Sequence, residues 1–360
     1  MKIAFFCSSR SIIPPPKTGG IEWATYYLVR ELAKRGHEIT LYAAAGSKVP
    51  GVKIREISPF PTLIKQKYVN LQERITSFYD LTAFANFFRT GDDKNFDLIH
   101  CTNYIFYEIL PFTKWSNIPT VIQICYPHDT IYPYLKKYLK QFKNVYYLPG
   151  SNFIKTAMPD LPYLEPLYPA VDPKDFPPSF KRGNYLFFLG RICPEKAPHL
   201  AIQAALIAKK QLIIAGGVTE SNQEYFRTLI QPRIDNKNII YIGEIDLKTR
   251  VKIYQGALAL LFPIQWKEPC GNVVIESMFC GTPVIAFDRA AVREIVKNKV
   301  SGYIVPDGNV GKMVRAVKEI RKISRRKVRQ YAEDNFSIEK MVDQHEKIYR
   351  TIILKNKKKS

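Results

Sequence analysis

The chain spells out the same alternation twice, with a proline-rich segment between the two passages. Short apolar runs at Lys2–Cys7, Glu38–Ala43, Leu98–His100, Thr120–Ile124 and Val145–Leu148 are separated by polar or amphipathic stretches. The clearest of these is Glu22–Arg35, a predicted helix that Gly36 stops. Short, nearly continuous apolar runs suit strands covered on both faces, and strands alternating with helices make a parallel sheet. Seven prolines (159, 162, 166, 169, 173, 177, 178) then mark a linker. Beyond it come predicted strands Tyr185–Leu189, Leu212–Ala215, Ile239–Ile242, Leu258–Phe262 and Pro283–Phe287, with helices at Pro198–Lys210 and around Leu247–Gln255. At about 150 residues per domain, 360 residues make two domains. The predicted fold class is α/β, two doubly wound parallel-sheet domains of similar size facing a central cleft, with ligands at the carboxyl ends of the strands. The predicted boundaries are 1–178 and 179–336.

Composition narrows the class. It is 46% hydrophobic and 24% charged, which is ordinary for a globular protein able to bury its own core. No run approaches the roughly 20 apolar residues of a membrane span. The apolar start turns polar at Ser8-Ser9-Arg10, which is short for a secretion signal and suits a first core strand. Six dispersed cysteines (7, 101, 125, 193, 270, 280) show no C-x2-C spacing. They argue against a zinc site or a disulfide framework and fit a reducing, cytoplasmic setting.

The net charge of +22 calls for an anionic partner or surface. Lys136, Lys137, Lys140 and Lys143 interleave with Tyr134, Leu135, Tyr138, Leu139 and Phe142. A second basic run holds Arg321, Lys322, Arg325, Arg326, Lys327 and Arg329, and residues 354–360 form a basic tail with Lys355, Lys357, Lys358 and Lys359. These are either solvated helix faces plus a loose tail or a surface for peripheral attachment to the inner face of an anionic membrane. No recognition motif accompanies the charge, so nucleic acid is not expected as a partner.

The chemistry concentrates at Glu268-Pro-Cys-Gly271-Asn272-Val273-Val274-Ile-Glu276, followed by Gly281 and the run Pro283–Phe287. Glu268 stands on a loop before a short helix, and Glu276 stands on the helix. Backbone N–H groups at the helix start, reinforced by its dipole, favour an anion such as a diphosphate. Carboxylates on both sides of it can accept from sugar or ribose hydroxyls. The competing assignment is a capping acid and a surface acid, weakened because Glu276 sits on an otherwise apolar helix where a buried carboxylate needs partners.

Two further segments have the same flavour. Lys17-Thr-Gly19-Gly20-Ile-Glu22 follows the first strand and opens the first long helix, where paired glycines let a phosphate come close. A plain flexible turn is the alternative. Gly190-Arg191-Ile-Cys-Pro-Glu195-Lys196 follows a strand directly and offers a guanidinium and an ammonium to phosphate, or simply a basic turn. His128-Asp129 follows Thr120–Ile124, where an imidazole can bind a hydroxyl or act as acid and base. His100 ends a strand and reads as structural, and His37 and His199 read as surface residues. No Asp-x-Asp triplet, Walker loop or hydrolase elbow occurs. A diphosphate here would be held by fixed cations and helix dipoles, without metal or cofactor.

On these residues the chain resembles the retaining glycosyltransferases of family GT4, which have the GT-B fold of two Rossmann-like domains. Glu268 and Glu276 are similar to that family's E-x7-E pair, Gly190-Arg191 with Glu195-Lys196 to its phosphate segment, and Gly19-Gly20 to its glycine loop. Gly190-Arg-Ile-Cys-Pro-Glu-Lys-Ala-Pro-His-Leu-Ala-Ile most resembles bacterial glucosyltransferase-like members. The resemblance implies transfer of a hexose from a nucleoside-diphosphate sugar, with a uridine base favoured, to a glycan, lipid or small-molecule acceptor. It implies that Arg191 and Lys196 neutralise the diphosphate. Gly20 and Gly271 to Val274 would bind phosphate and sugar oxygens, and Glu276 the ribose. Glu268 and His128 would meet the donor sugar, and Gly243 and Glu244 would line the base pocket. A C-terminal segment at about 337–353 would cross back to complete the first domain. Cys270 stands where an aromatic is usual, which bears on donor specificity. The acceptor would meet the loop region 59–90, where Tyr68, Phe78, Tyr79, Phe84, Phe87 and Phe88 form either an aromatic platform or core. The rival functions are a nucleotide-sugar epimerase on the same fold and a non-catalytic membrane- or nucleic-acid-associated binding protein.

Overall fold

The computed structural model describes residues 1–16, 19–63, 69–102, 106–181 and 183–358. Lys17, Thr18, Tyr68 and Lys359, named above, lie outside them. The chain divides into two compact units, Met1–Pro169 with Ile338–Ser360, and Ala170–Ser337.

The first unit holds β1 (Lys2–Phe6), β2 (Glu38–Ala44), β3 (Lys53–Ser58), β4 (Leu98–Cys101), β5 (Thr120–Ile124) and β6 (Val145–Pro149). They pair in the order β3-β2-β1-β4-β5-β6, parallel throughout. The second unit holds β7 (Tyr185–Leu189), β8 (Leu212–Ala215), β9 (Ile239–Tyr241), β10 (Ala257–Phe262), β11 (Val284–Phe287) and β12 (Gly302–Val305). Their order is β12-β11-β10-β7-β8-β9, again all parallel. Counted from its own first strand, each sheet has the doubly wound Rossmann order. Its topological switch point lies between β1 and β4 in the first unit and between β7 and β10 in the second. Ligands of such sheets bind beyond the carboxyl ends of those strands.

Apart from Lys2 at the start of β1, the central strands β1 and β10 are buried along their length, as strands covered by helices on both faces must be. Two strands were not legible as apolar runs. β3 carries Lys53, Arg55 and Glu56 at the sheet edge, and β12 is a short edge strand opening on Gly302. The expected loop at 59–90 is mostly a 21-residue helix, Val69–Arg89. Phe84 and Phe87 of that helix pack on Phe6 at ring-centroid distances of 4.6 and 5.1 Å, and Phe88 is buried as well. These three aromatics are therefore core. Phe78 is exposed.

The C-terminal helix Ile338–Lys357 is part of the first unit and runs past the expected end at 353, so the basic tail is helical through Lys357. Arg35 Nη1 donates to Asp343 at 2.6 Å, and His37 Nε2 meets Glu346 at 2.9 Å. His37 is thus not a free surface residue, because its Nδ1 also accepts from the N-terminal ammonium at 3.2 Å. His100 is core: Nε2 donates to Gln123 at 3.0 Å, and Nδ1 accepts from the Tyr349 hydroxyl at 2.5 Å. Burial, with His345 beside it, holds its pKa well below the usual histidine range.

The end of the proline-rich segment is stitched into the second unit. Arg329 Nη1 donates to the Phe176 carbonyl at 2.6 Å. Arg325 donates to the carbonyls of Ser179, Ala257 and Gln255 at 2.7, 2.7 and 3.0 Å and to the Thr282 hydroxyl at 2.6 Å. A buried guanidinium with this many acceptors closes the unit where the chain enters it.

Candidate active site

In the second unit, the loops leaving β7 and β10 meet at the switch point. The backbone N–H of Gln265 donates to the Glu195 carbonyl at 2.7 Å. Beside that clasp, Lys196 Nζ pairs with Glu268 Oε2. Trp266 completes the group: its indole N–H donates to Glu268 Oε2 at 2.9 Å, and its ring lies 4.7 Å from the Lys196 ammonium. Glu268 is only 8% exposed. A carboxylate that deep is tolerated because it has a cation and a neutral donor on one oxygen.

The loop then turns into the helix Asn272–Phe279 through Gly271, whose φ is +80°. A Cβ at that position would come within 2.9 Å of the Phe262 ring, so glycine is required by conformation and by space. Asn272, Val273 and Val274 form the first turn, at the positive end of the helix dipole. Gly190 follows β7 and lies against Lys196. Gly216, after β8, presses so close to the Gly190 carbonyl that an added Cβ would overlap its oxygen at 1.8 Å. Gly243 and Glu244 follow β9. The Gly243 carbonyl accepts from Gly216 N–H at 2.8 Å, and Glu244 Oε1 stands over the Gly217 backbone. Arg191 is exposed beside this group.

Glu276 is 5% exposed and faces inward from its helix. Arg250 Nη1 reaches its Oε1 at 3.2 Å, and the Tyr254 hydroxyl lies 3.1 Å from its Oε2 and also 3.1 Å from the Val273 carbonyl oxygen. Burial raises its carboxyl pKa, and Arg250 and Tyr254 act against that rise. Both partners sit on the helix Leu247–Gly256, remote in sequence, and no motif marks them. Trp266 was equally unmarked, although a tryptophan in a polar loop two residues before Glu268 was a usable signal. His199 is half-buried and bonded to the Tyr225 hydroxyl at 2.6 Å, not a surface residue.

In the first unit, Gly19 caps the helix Gly20–Lys34, and its carbonyl accepts from Trp23 N–H at 3.0 Å. Glu22 in the first turn has its pKa raised by burial. His128 lies in a small pocket at the carboxyl ends of β4 and β5, which Ile21, Thr102, Gln123 and Cys125 also line. Its ring is held edge-on by Phe106, Tyr107 and Tyr126 at centroid distances of 5.4, 5.7 and 5.5 Å.

Residues 18–157 match the model described as Glycosyltransferase Family 4, and residues 172–335 match Glycosyl transferases group 1. The protein described as "Putative glycosyltransferase YtcC" of Bacillus subtilis (strain 168) is 26% identical over 86% of this chain and 80% of its own. Sucrose-phosphate synthase from Thermosynechococcus elongatus superposes with a TM-score of 0.82 at 17% identity, over 98% of this chain and 99% of that one. Anabaena HepE, solved with UDP and glucose, superposes with a TM-score of 0.75 at 16% identity, over 98% and 100%. With family models on both units and the doubly wound strand order in each, the chain belongs to the family GT4 glycosyltransferases of the GT-B fold.

Proposed function

We propose that the protein transfers a hexose from a uridine-diphosphate sugar to an acceptor hydroxyl, with retention at the anomeric carbon and without a metal ion. The observation that carries the reading is the group formed by Lys196, Glu268 and Trp266 at the switch point of the second unit. Lys196 and Arg191 take the diphosphate, assisted by the positive helix end at Asn272 and Val273. They do the work that a divalent cation does in other sugar-nucleotide enzymes. When phosphate engages Lys196, Glu268 is released to accept from the sugar hydroxyls. Glu276 accepts from the ribose, Gly243 and Glu244 border the base, and Gly19 and Gly20 offer backbone N–H groups to phosphate. His128 is the first unit's candidate for a hydroxyl contact. In the reaction the bond from the anomeric carbon to the diphosphate oxygen breaks, and a bond to the acceptor oxygen forms on the same face. The acceptor's proton passes to the departing phosphate. The UDP bound by Anabaena HepE supports uridine as the base.

The test is binding and slow hydrolysis of UDP-glucose, UDP-N-acetylglucosamine, GDP-mannose and ADP-glucose in the presence of EDTA. Saturable binding of one donor with release of its nucleoside diphosphate supports the reading. Strict dependence on added divalent metal overturns metal independence. A changed sugar formed with no acceptor present indicates an epimerase. The anomeric configuration of the transferred sugar, read by NMR, decides retention. The reading also includes peripheral attachment to an anionic membrane through the basic surface.

A further inference from the structure

Three basic segments, far apart in sequence, meet at one corner of the first unit, at the amino-terminal ends of β5 and β6. Asn144, just before β6, donates its side-chain amide to the carbonyls of Thr113, Ser116 and Ile118 at 3.0, 3.0 and 3.2 Å. This pins the turn Leu110–Trp115 against the segment that follows the helix Tyr132–Leu139. Lys114 lies 5.2 Å from the Phe142 ring, which itself packs edge-on to Tyr138. The end of the C-terminal helix joins the same corner, where Asn356 donates to the Asn117 carbonyl at 2.8 Å. Lys114, Lys136, Lys140, Lys143, Lys355 and Lys358 are all exposed. No acidic residue occurs between Glu108 and Asp129, between Asp129 and Asp160, or after Glu346. The charge at this corner is therefore not neutralised from within its own segments.

Apolar side chains stand among these lysines without cover. Trp115 is 62% exposed and Leu354 61%. Lysines beside exposed aromatic and aliphatic side chains match a bilayer surface: cations meet anionic headgroups while Trp and Tyr rings sit at the headgroup level. The pocket holding His128 opens at the carboxyl ends of the strands, so within this unit docking at the opposite edge leaves it uncovered.

We propose that this corner, built from the Leu110–Trp115 turn, residues 136–143 and the end of the C-terminal helix, is the face by which the protein docks on an anionic lipid bilayer. It rests on the attachment included in the proposed function and names the face and the chemistry responsible.

The experiment is vesicle co-sedimentation of the full chain on pure phosphatidylcholine and on vesicles with roughly a third phosphatidylglycerol. It compares wild type with K114Q/K140Q/K143Q, with W115S, and with a control triple in the second unit, K312Q/R315Q/K318Q. The expected result is binding to anionic vesicles alone, weakened at least about tenfold by the first triple. The W115S variant binds more weakly, and the control binds like wild type. No wild-type binding to anionic vesicles overturns the attachment itself. Equal loss in both triples overturns the face and leaves only diffuse charge. Tighter binding to duplex DNA than to vesicles, lost through the same triple, reassigns the corner to nucleic acid and overturns the proposal. Donor binding measured in parallel on each variant separates any of these outcomes from failure of the glycosyl-transfer reading.

Discussion

Trp266 donates its indole N–H to Glu268 Oε2, the same oxygen that Lys196 pairs with. One carboxylate oxygen is thereby held by a neutral donor and a cation, and the indole ring covers the cation in turn. Trp266→Phe keeps the ring over Lys196 and deletes the donor. A net hydrogen bond contributes about 1 kcal/mol, so the donor KM should rise about fivefold with a smaller change in kcat. Steady-state kinetics against donor concentration check this, and an unchanged KM removes Trp266 from the site.

Lys196→Ala removes the cation proposed for the leaving group. The expected loss in kcat/KM is about 100- to 1,000-fold, the range for deleting one preorganised electrostatic contact. It also strips a nearly buried Glu268 of its charge partner, at a cost of about 1–3 kcal/mol. The double variant Lys196→Met with Glu268→Gln should regain stability in urea titrations without regaining turnover. Full turnover in the single variant refutes the role.

Gly271→Ala places a side chain at φ +80° and within 2.9 Å of the Phe262 ring. About 1 kcal/mol of backbone strain adds to the clash. Donor affinity and thermal midpoint should both fall. Adding Phe262→Leu should recover the part of the thermal loss due to the clash and leave the strain. Calorimetric thermal unfolding of the wild type, the single variant and the double variant separates the two terms.

Acid stability should depend on His345. Its Nδ1 donates to the Met341 carbonyl at 2.8 Å, its Nε2 has no partner among the described residues, and burial lowers its pKa to about 4. The folded pKa lies below the ordinary value, so the contribution is complete above about pH 6.5 and is lost as pH falls towards 4. Over that window one such group is worth about 3 kcal/mol, and His100 acts in the same direction. His345→Leu should be less stable near neutrality and show a shallower decline between pH 6.5 and 4 in urea titrations. A wild-type slope would assign the acid sensitivity elsewhere.

Much of the fold was legible because buried parallel strands write themselves as apolar runs, and β1, β5, β7 and β10 have no other reading. Edge strands β3 and β12 escaped because one face meets water or the run is too short. The helix Val69–Arg89 escaped because its many aromatics blur any helical period. Glu268 and Glu276 stood out through their place around a predicted helix start. Trp266, Arg250 and Tyr254 did not, because a side chain that serves another side chain leaves no spacing of its own in the sequence. Arg250 and Tyr254 reach Glu276 only once β10 and its neighbouring helices are packed.

The C-terminal helix Ile338–Lys357 belongs to the first unit, whereas the second unit is one continuous stretch. On a ribosome the second unit can therefore finish folding before the first, although it is made later. Until residues 338–357 emerge, Tyr349 is absent and the face of β1 and β4 that carries His100 lacks the helix that covers it. A product truncated before residue 338 would therefore hold a second unit with all its residues beside a first unit lacking the helix that covers His100.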